Sequence, residues 1–187
     1  MSNKATIGVA HHNGWAVLVT VASEGGLIDR RRVELVDEHL PSMPYHCEGQ
    51  RLPIEKAIKL VEQVEESVNV CAKDCLEALS AAVPTKIIGI AIRKYKPLPQ
   101  TVAERIQNYQ AMCVADSVMY RNALAKAAKE RGWSVYWYDS KTVITEAGQV
   151  LNRSDINEFL RKPRESFGPP WQKDHRTAMA AAIAARA

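Results

Sequence analysis

The chain has 187 residues, of which 47% are hydrophobic and 25% are charged, so it is long enough to bury one hydrophobic core. These fractions and a mean hydropathy of −0.24 exclude a disordered or collagen-like protein. Lys and Arg outnumber Asp and Glu by 25 to 21, and the net charge of +4 permits a nucleic-acid partner without requiring one. We expect a single domain over residues 1–187.

Membrane and secretion signals are weak in this sequence. The longest uncharged apolar run, residues 178–185, is about half as long as the roughly 20 residues that a membrane-spanning helix needs. The start of the chain lacks the apolar segment and cleavage site of a signal peptide. The four cysteines have no paired Cys-x-x-Cys spacing, which favours reduced thiols over disulfides. The sequence therefore predicts a cytoplasmic protein without a membrane segment.

The first part of the chain has three segments with β-strand character. Residues 6–10 and 15–22 are short β-type runs on either side of residues 11–14, which predicts a hairpin. After a turn at residues 24–26, apolar and charged side chains alternate over residues 27–36, as in a strand with one solvated face. We expect three antiparallel strands here.

Helices and strands alternate in the rest of the chain. From Ile54 to Leu79, apolar residues recur every three or four positions, which predicts a long amphipathic helix that Pro84 ends. The later predictions are a central strand over 86–92, one or two helices over 101–131, a fifth strand over 134–138, a helical turn over 155–160, a loop over 163–170 and an alanine-rich helix from about 174. This order is typical of a mixed α/β sheet.

The same order resembles the ribonuclease-H-like fold, and short segments resemble the RuvC-type Holliday-junction resolvases. Residues 8–16 (GVAHHNGWA) are similar to the family's Gly-Ile-Asp-Pro-Gly opening. Residues 120–124 (YRNAL), 135–138 (VYWY) and 141–143 (KTV) resemble its helix, its fifth strand and the basic segment that follows. Residues 173–183 (KDHRTAMAAAI) resemble its last helix. The resemblance implies a five-stranded mixed sheet flanked by helices.

The family hydrolyses phosphodiesters with two divalent ions, which several converging carboxylates hold. The resemblance places Ala10 and Thr177 at two of the acidic positions, and the central-strand run 87–92 contains no acid. Asp174 alone matches a family carboxylate, which implies a weakened or lost nuclease activity. A shift of one residue along the first strand would bring His11 to the position of Ala10.

Histidines near these positions allow a second interpretation. In the resembled fold, His11 and His12 lie beside Asp174 and His175. Imidazole and carboxylate together suit Zn²⁺, Mn²⁺ or Fe²⁺ better than Mg²⁺, so these four residues are the candidate metal ligands. His12, Asp174 and His175 are also candidate catalytic residues, together with Asp139 after the fifth strand. In the alternative interpretation, His11 and His12 are turn residues and Asp174 caps the last helix.

Two other carboxylates also have structural interpretations. Asp139 has the character of a turn residue, because Asp readily hydrogen-bonds nearby backbone. Asp116 lies near the apolar stripe of its helix and, if buried, needs a partner, either Arg121 or a backbone donor. The triplet Arg30, Arg31 and Arg32 in the third strand is interpreted as solvated charge or as protection of a sheet edge.

Charge is unevenly distributed along the chain. Residues 86–105 contain five Lys and Arg against one acid, residues 151–187 contain seven against four, and residues 47–80 contain four against seven. We therefore expect one basic face. Its cations can contact phosphates and its rings can stack on unpaired bases, unless these are merely solvated loops. The candidate nucleic-acid ligands are Arg93, Lys94, Tyr95, Lys96, Lys141, Trp171 and Lys173.

Three functions follow from the sequence. The first is a RuvC-like protein that binds nucleic acid, a DNA junction or a single strand, with its nuclease activity weakened or lost. The second is a metal-dependent endonuclease with a remodelled His/Asp centre that uses Mg²⁺, Mn²⁺ or Zn²⁺. The third is a non-catalytic scaffold that self-associates as a homodimer, because resolvase-like proteins are dimers. The sequence leaves open whether the protein is an enzyme.

Overall fold

Five strands form one mixed sheet in the computed structural model, which describes residues 4–186. The strands are β1 (Lys4–His11), β2 (Trp15–Ala22), β3 (Leu27–Glu34), β4 (Lys86–Arg93) and β5 (Ser134–Tyr138). Their order in the sheet is β3-β2-β1-β4-β5. β1 is antiparallel to β2 and parallel to β4, β2 is antiparallel to β3, and β4 is parallel to β5. The predicted sheet of three antiparallel strands followed by parallel crossovers is confirmed.

Helices cover both faces of this sheet. Within residues 4–186 they are α1 (Ile54–Ala82), α2 (Val102–Gln107), α3 (Tyr109–Glu130), α4 (Val143–Val150), α5 (Ile156–Phe159), α6 (Pro163–Phe167) and α7 (Lys173–Ala184). Asn108 separates α2 from α3, because its side chain accepts the N–H of Ala111 and starts a new helix. The helical region 101–131 is therefore two helices.

One prediction of secondary structure was wrong, and one helix was not predicted. Residues 163–170 were expected to form a loop, but a proline at the first helical position starts α6 there. The sequence also gave no sign of α4, whose β-branched residues and Gly148 disfavour a helix. Packing against α7 overrides this preference, because Val143, Ala147 and Gly148 of α4 are buried.

Large apolar side chains fill the face covered by α1 and α3. Ile7 and Val9 of β1 and Ile90 of β4 point to this side. α1 contributes buried residues at the predicted three- and four-residue spacing: Val64, Val68, Ala72, Leu76 and Leu79. This cluster is the larger of the two main cores.

Small residues line the opposite face, where α7 lies directly on β1. Gly8 is required there, because a Cβ at this position would lie 1.7 Å from the carbonyl oxygen of Ala178. Thr6 Oγ1 donates a hydrogen bond to the carbonyl oxygen of Ala182 at 2.6 Å. The alanine-rich segment predicted from the sequence is thus the surface that approaches the sheet, although Ala187 lies outside the described residues.

β3 is an edge strand, and its three arginines have different surroundings. Arg31 pairs with Asp29 at 2.8 Å, and the Arg32 side chain is largely exposed. Arg30 is more than solvated charge, since its guanidinium donates to four consecutive carbonyl oxygens at the end of α6 and just after it, at residues 167–170. It therefore anchors the segment that leads into α7.

Some expectations stay predictions. Within residues 4–186, no helix combines the length and the apolar character needed to cross a bilayer. All four cysteines lie in this part of the chain and are unpaired. The cytoplasmic location and the single domain over 1–187 are untested. Residues 1–3, on which the expected lack of a signal peptide partly depends, lie outside the described residues.

Candidate functional site

Three strand ends and one helix start meet at one edge of the sheet. β1, β4 and β5 run parallel, so their carboxyl ends lie at the same edge. In α/β sheets this edge is the usual place for a ligand. α7 begins beside it, where Asp174 contacts His12. We call the residues at this edge, among them His11, His12, Arg93, Asp139 and Asp174, the strand-end site.

His12 faces α7. Its Nε2 lies 2.9 Å from Asp174 Oδ2, and both side chains are 40% exposed. The imidazole stacks on the Trp15 ring, with centroids 4.0 Å apart and planes 6° from parallel. The Arg32 guanidinium lies 4.0 Å from the same indole. These contacts orient His12 while leaving the pair accessible to solvent.

His11 faces the other way, toward α3, because successive strand residues alternate. Its Nε2 lies 2.9 Å from Ser117 Oγ and 2.8 Å from Arg121 Nε. Burial, followed by the charges of Arg121 and Arg93, lowers the pKa of His11 to about 3. His11 is therefore neutral at pH 7, and its Nε2 accepts a hydrogen bond from Arg121.

The four candidate metal ligands do not converge. Besides the separation of His11 from His12, His175 Nδ1 accepts the backbone N–H of Gln172 at 3.2 Å. Burial lowers the pKa of His175. Of the four, the structure brings His12 and Asp174 together. No group of three or more His, Cys, Asp or Glu side chains within residues 4–186 is placed to hold a metal ion.

The strand positions that face α7 also lack carboxylates. Ala10 of β1 and Ala91 of β4 pack in the core beneath α7. The register left open by the sequence is thus the one with Ala10 on the α7 face and His11 on the α3 face. An alanine cannot ligate a cation, so the donor set does not fit a pair of Mg²⁺ ions.

Asp139 follows β5 and is held in a turn. Its Oδ1 accepts the N–H of Lys141 at 2.9 Å, in agreement with the turn interpretation. Its Oδ2 pairs with Lys94 Nζ at 2.8 Å. The hydrogen bond from Lys94 lowers the pKa of Asp139. The two carboxylates predicted for this edge are therefore both engaged, Asp139 by Lys94 and Asp174 by His12.

A loop of residues 94–101 follows β4 and borders two grooves. The volumes are about 510 Å³ and about 460 Å³, and Lys94 and Tyr95 line both. The Tyr95 ring meets the Trp137 ring edge-on at 5.5 Å, and Trp137 is 37% exposed. Of the described residues, none that lines either groove is acidic. The grooves therefore present cations and aromatic rings without an acidic lining residue.

Most of the predicted nucleic-acid ligands lie at this edge. Arg93, Lys94, Tyr95 and Lys96 belong to the end of β4 and to the 94–101 loop, and the Lys141 and Lys173 side chains are exposed after β5 and at the start of α7. The prediction that Trp171 is a nucleic-acid ligand was wrong. It is only 5% exposed, and its Nε1 donates to the carbonyl oxygen of Leu160 at 2.7 Å. Its ring is part of the α7 core and cannot stack on a base.

Sequence reasoning missed Trp137, Ser117 and Arg121 as site residues. Strand alternation could have found Trp137, because it points away from its buried neighbour Tyr138. The four-residue spacing of Ser117 and Arg121 places both on one side of α3. No local signal identifies His11 as their partner, since that contact joins residues more than 100 positions apart.

Asp116 lies away from this edge and has a structural role. It is 2% exposed, and its carboxylate accepts the N–H groups of Tyr45 and His46 at 2.9 and 3.0 Å. These donors belong to a π-helical turn, Pro44–Glu48. Burial raises the pKa of Asp116 to about 6. The backbone-donor interpretation was correct, because Arg121 contacts His11 instead.

Solved structures share this architecture. The structure of Thermus thermophilus RuvC in complex with Holliday junction substrate matches with a TM-score of 0.51 and 14% identity, covering 97% of this chain and 91% of that chain. This chain has an RNase H-like fold of the RuvC type. Another Thermus thermophilus RuvC structure gives a TM-score of 0.48 and 14% identity, with 96% and 92% covered. No protein-family model and no curated protein matches the sequence.

At 14% identity, the likeness to RuvC concerns the fold alone. In this RuvC-type fold the strand-end site keeps the usual position of a ligand site in an α/β sheet, while its side chains are largely basic, aromatic or small. The function therefore depends on these side chains.

Proposed function

We propose that this protein binds nucleic acid at the strand-end site and does not hydrolyse it by a two-metal mechanism. The observation that carries the proposal is the pairing of charges at this edge. Asp174 contacts His12 and Asp139 contacts Lys94, while the neighbouring cations Arg93 and Lys96 are exposed. The edge is thus suited to attract phosphates and unsuited to hold two divalent ions.

Phosphate binding and base stacking both have candidate groups here. When exposed Lys and Arg side chains contact a nucleic-acid backbone, the counterions condensed on that backbone are released, which favours binding. Aromatic rings next to such cations stack on unpaired bases. Tyr95 and Trp137 meet edge-on and line one groove together with Lys94. The fold also supports the proposal, because the Thermus thermophilus RuvC structure that shares it is a complex with Holliday junction substrate.

A second function rests on the His12–Asp174 contact. A solvent-accessible imidazole next to a carboxylate supplies two of the donors that a single Zn²⁺ or Mn²⁺ site uses. Two donors leave the remaining coordination positions to solvent or substrate. A metal-dependent endonuclease with these two residues at its centre is therefore the alternative that the same experiment has to test.

The experiment compares a labelled four-way junction, a duplex and a single strand at 50 and 200 mM salt, with Mg²⁺, Mn²⁺ and Zn²⁺ in turn. We expect binding without cleavage. If about four phosphates are contacted, the Kd should rise about 100-fold between the two salt concentrations. The double variant Arg93→Gln, Lys96→Gln should bind about tenfold more weakly or worse. Lys129→Gln, an exposed charge near the end of α3, is the matched control and should bind normally.

Each other result has a defined meaning. Cleavage that disappears in His12→Ala or Asp174→Ala would overturn the proposal in favour of the endonuclease. Absence of binding to every probe would overturn both functions. The expected homodimer is part of the proposal, and sedimentation of the free protein and of the junction complex tests it. A dimer that binds no nucleic acid would favour the scaffold.

A further inference from the structure

Arg121 of α3 connects the end of β1 to the 94–101 loop. Its Nε donates to His11 Nε2 at 2.8 Å, and its Nη2 donates to Ser117 Oγ at 2.6 Å. Its Nη1 donates to the carbonyl oxygen of Lys94 at 3.1 Å. The guanidinium carbon also lies 5.9 Å from the centre of the Tyr95 ring. One side chain thus spans two anchors in the protein and the start of the loop.

The anchors are well defined chemically. An arginine Nε is always a donor, so His11 Nε2 must be the acceptor and cannot carry a proton. Ser117 Oγ lies 2.9 Å from the same nitrogen and accepts from Arg121 Nη2, so the single lone pair of His11 Nε2 is left to the Arg121 Nε–H. His11 and Ser117 therefore fix two N–H groups of Arg121, which leaves the Nη1 side directed at Lys94.

The start of the loop has other attachments besides Arg121, among them the pair of Lys94 Nζ with Asp139 Oδ2 at 2.8 Å. The backbone N–H of Lys94 donates to the carbonyl oxygen of Tyr138 at 2.9 Å and extends the β4–β5 pairing by one residue. The hydroxyl of Tyr95 donates to Asn122 Oδ1 on α3. With Arg121 on the carbonyl of Lys94, both backbone polar groups of that residue are held.

We propose that Arg121 is a positioning residue that fixes the 94–101 loop for nucleic-acid binding, with His11 and Ser117 as its anchors. The binding part of this inference rests on the proposed function, whereas the anchoring of the loop does not. A loop already held in its bound shape loses less conformational entropy when it binds. Lysine cannot replace Arg121, because one ammonium group lacks the planar fork that meets three acceptors.

The first test is Arg121→Lys, which keeps the charge and removes the fork. We expect exchange of the Lys94 amide hydrogen, which bonds the carbonyl oxygen of Tyr138, to become about tenfold faster, without a matching change in α1. The Kd for the labelled junction should rise about fivefold, with an unchanged dependence on salt concentration, because the number of cations is the same. Arg131→Lys is the matched control, since Arg131 packs on Trp133 at the far end of α3.

The second test exchanges the anchor. Gln at position 11 offers an amide oxygen that can accept from Arg121, whereas Leu offers no acceptor. His11→Leu should loosen the loop as much as Arg121→Lys does, and His11→Gln should restore most of the protection. A role of His11 in packing alone would make the two variants alike. Urea unfolding of each variant distinguishes a loosened loop from a weakened fold.

Three results would overturn the inference. Unchanged loop exchange in Arg121→Lys would show that the fork does not hold the loop. Equal exchange in His11→Leu and His11→Gln would show that His11 is not the anchor. A loosened loop with an unchanged Kd would show that the anchor does not serve binding. If the wild-type protein binds no probe, the proposed function fails, and the exchange data separately decide whether Arg121 holds the loop.

Discussion

The two faces of the sheet are built in opposite ways. The face under α1 and α3 is filled by large side chains such as Ile90, Leu76 and Leu124. The face under α7 has Gly8 opposite Ala178, and there the helix backbone approaches the strand directly. The first face therefore depends on side-chain volume, whereas the contact of α7 with β1 on the second face depends on small side chains.

The same contrast continues to the end of β1, where two adjacent histidines have different environments. His11 lies on the α3 face in a partly buried network with Arg121, whereas His12 lies on the α7 face in a half-exposed pair with Asp174. The alternation of a strand is enough to separate them. Residue type alone therefore does not define a site, because identical neighbours can serve different elements.

The largest expected effect is on the α7 face. Gly8→Ala would place a Cβ 1.7 Å from the carbonyl oxygen of Ala178, so α7 or β1 would have to move. We expect a loss of about 4 kcal/mol in the free energy of unfolding, measured with urea. Gly26→Ala is the control, because its Cβ would meet only Glu24 Oε1 at 3.9 Å. Equal losses in the two variants would contradict the close approach of α7.

On the other face, removal of volume should be the damaging change. Leu76 of α1 is fully buried in the core beneath α1 and α3. Leu76→Ala should lower the free energy of unfolding by about 3 kcal/mol, because it removes buried methyl groups and leaves a cavity. Val70, also on α1, is 54% exposed, and Val70→Ala should cost less than about 0.5 kcal/mol. A small effect at Leu76 would show that this face does not depend on volume.

Much of the fold could be predicted from the sequence. The periodicity of α1 and the bounds of β2 and β5 agree with the structure, because a stripe of apolar residues is a strong local signal. α4 could not be predicted, since its helical state depends on burial against α7, a distant segment. The split at Asn108 was left open for a related reason, as capping depends on a backbone geometry that several residue types allow.

The site was harder to predict than the fold. The cluster of cations around β4 and the His12–Asp174 proximity were expected, the latter only because the resembled fold brings these segments together. Trp171 is of a residue type that stacks on bases, yet its surroundings bury it. The role of Arg121 depends on a partner on another element. Such contacts are set by tertiary structure, and no local pattern specifies them.

The buried carboxylate of Asp116 on the α3 face predicts a pH dependence. Burial raises its pKa from 3.8 to about 6, so the folded chain holds a proton that the unfolded chain loses at lower pH. Stability from this group is therefore present below about pH 4 and is lost as the pH rises through 6. Between pH 5 and pH 7 the wild type should lose about 1 kcal/mol relative to Asp116→Asn. A pH-independent difference between the two proteins would contradict the raised pKa.

The smallest effect on stability is expected at Asp139, where the measurable change is in binding. Its contact with Lys94 is at the surface, so Asp139→Asn should unfold like the wild type. The amide still accepts the N–H of Lys141, while the loss of one negative charge strengthens the field of the neighbouring cations. We expect affinity for the labelled junction to rise about threefold at low salt and to approach that of the wild type at high salt.

Asp155→Asn, which removes the partner of Arg153, should leave affinity unchanged because that pair lies before α5, apart from the strand-end site. Equal gains in the two variants would mean that net charge, rather than the paired cations at the end of β4, controls binding.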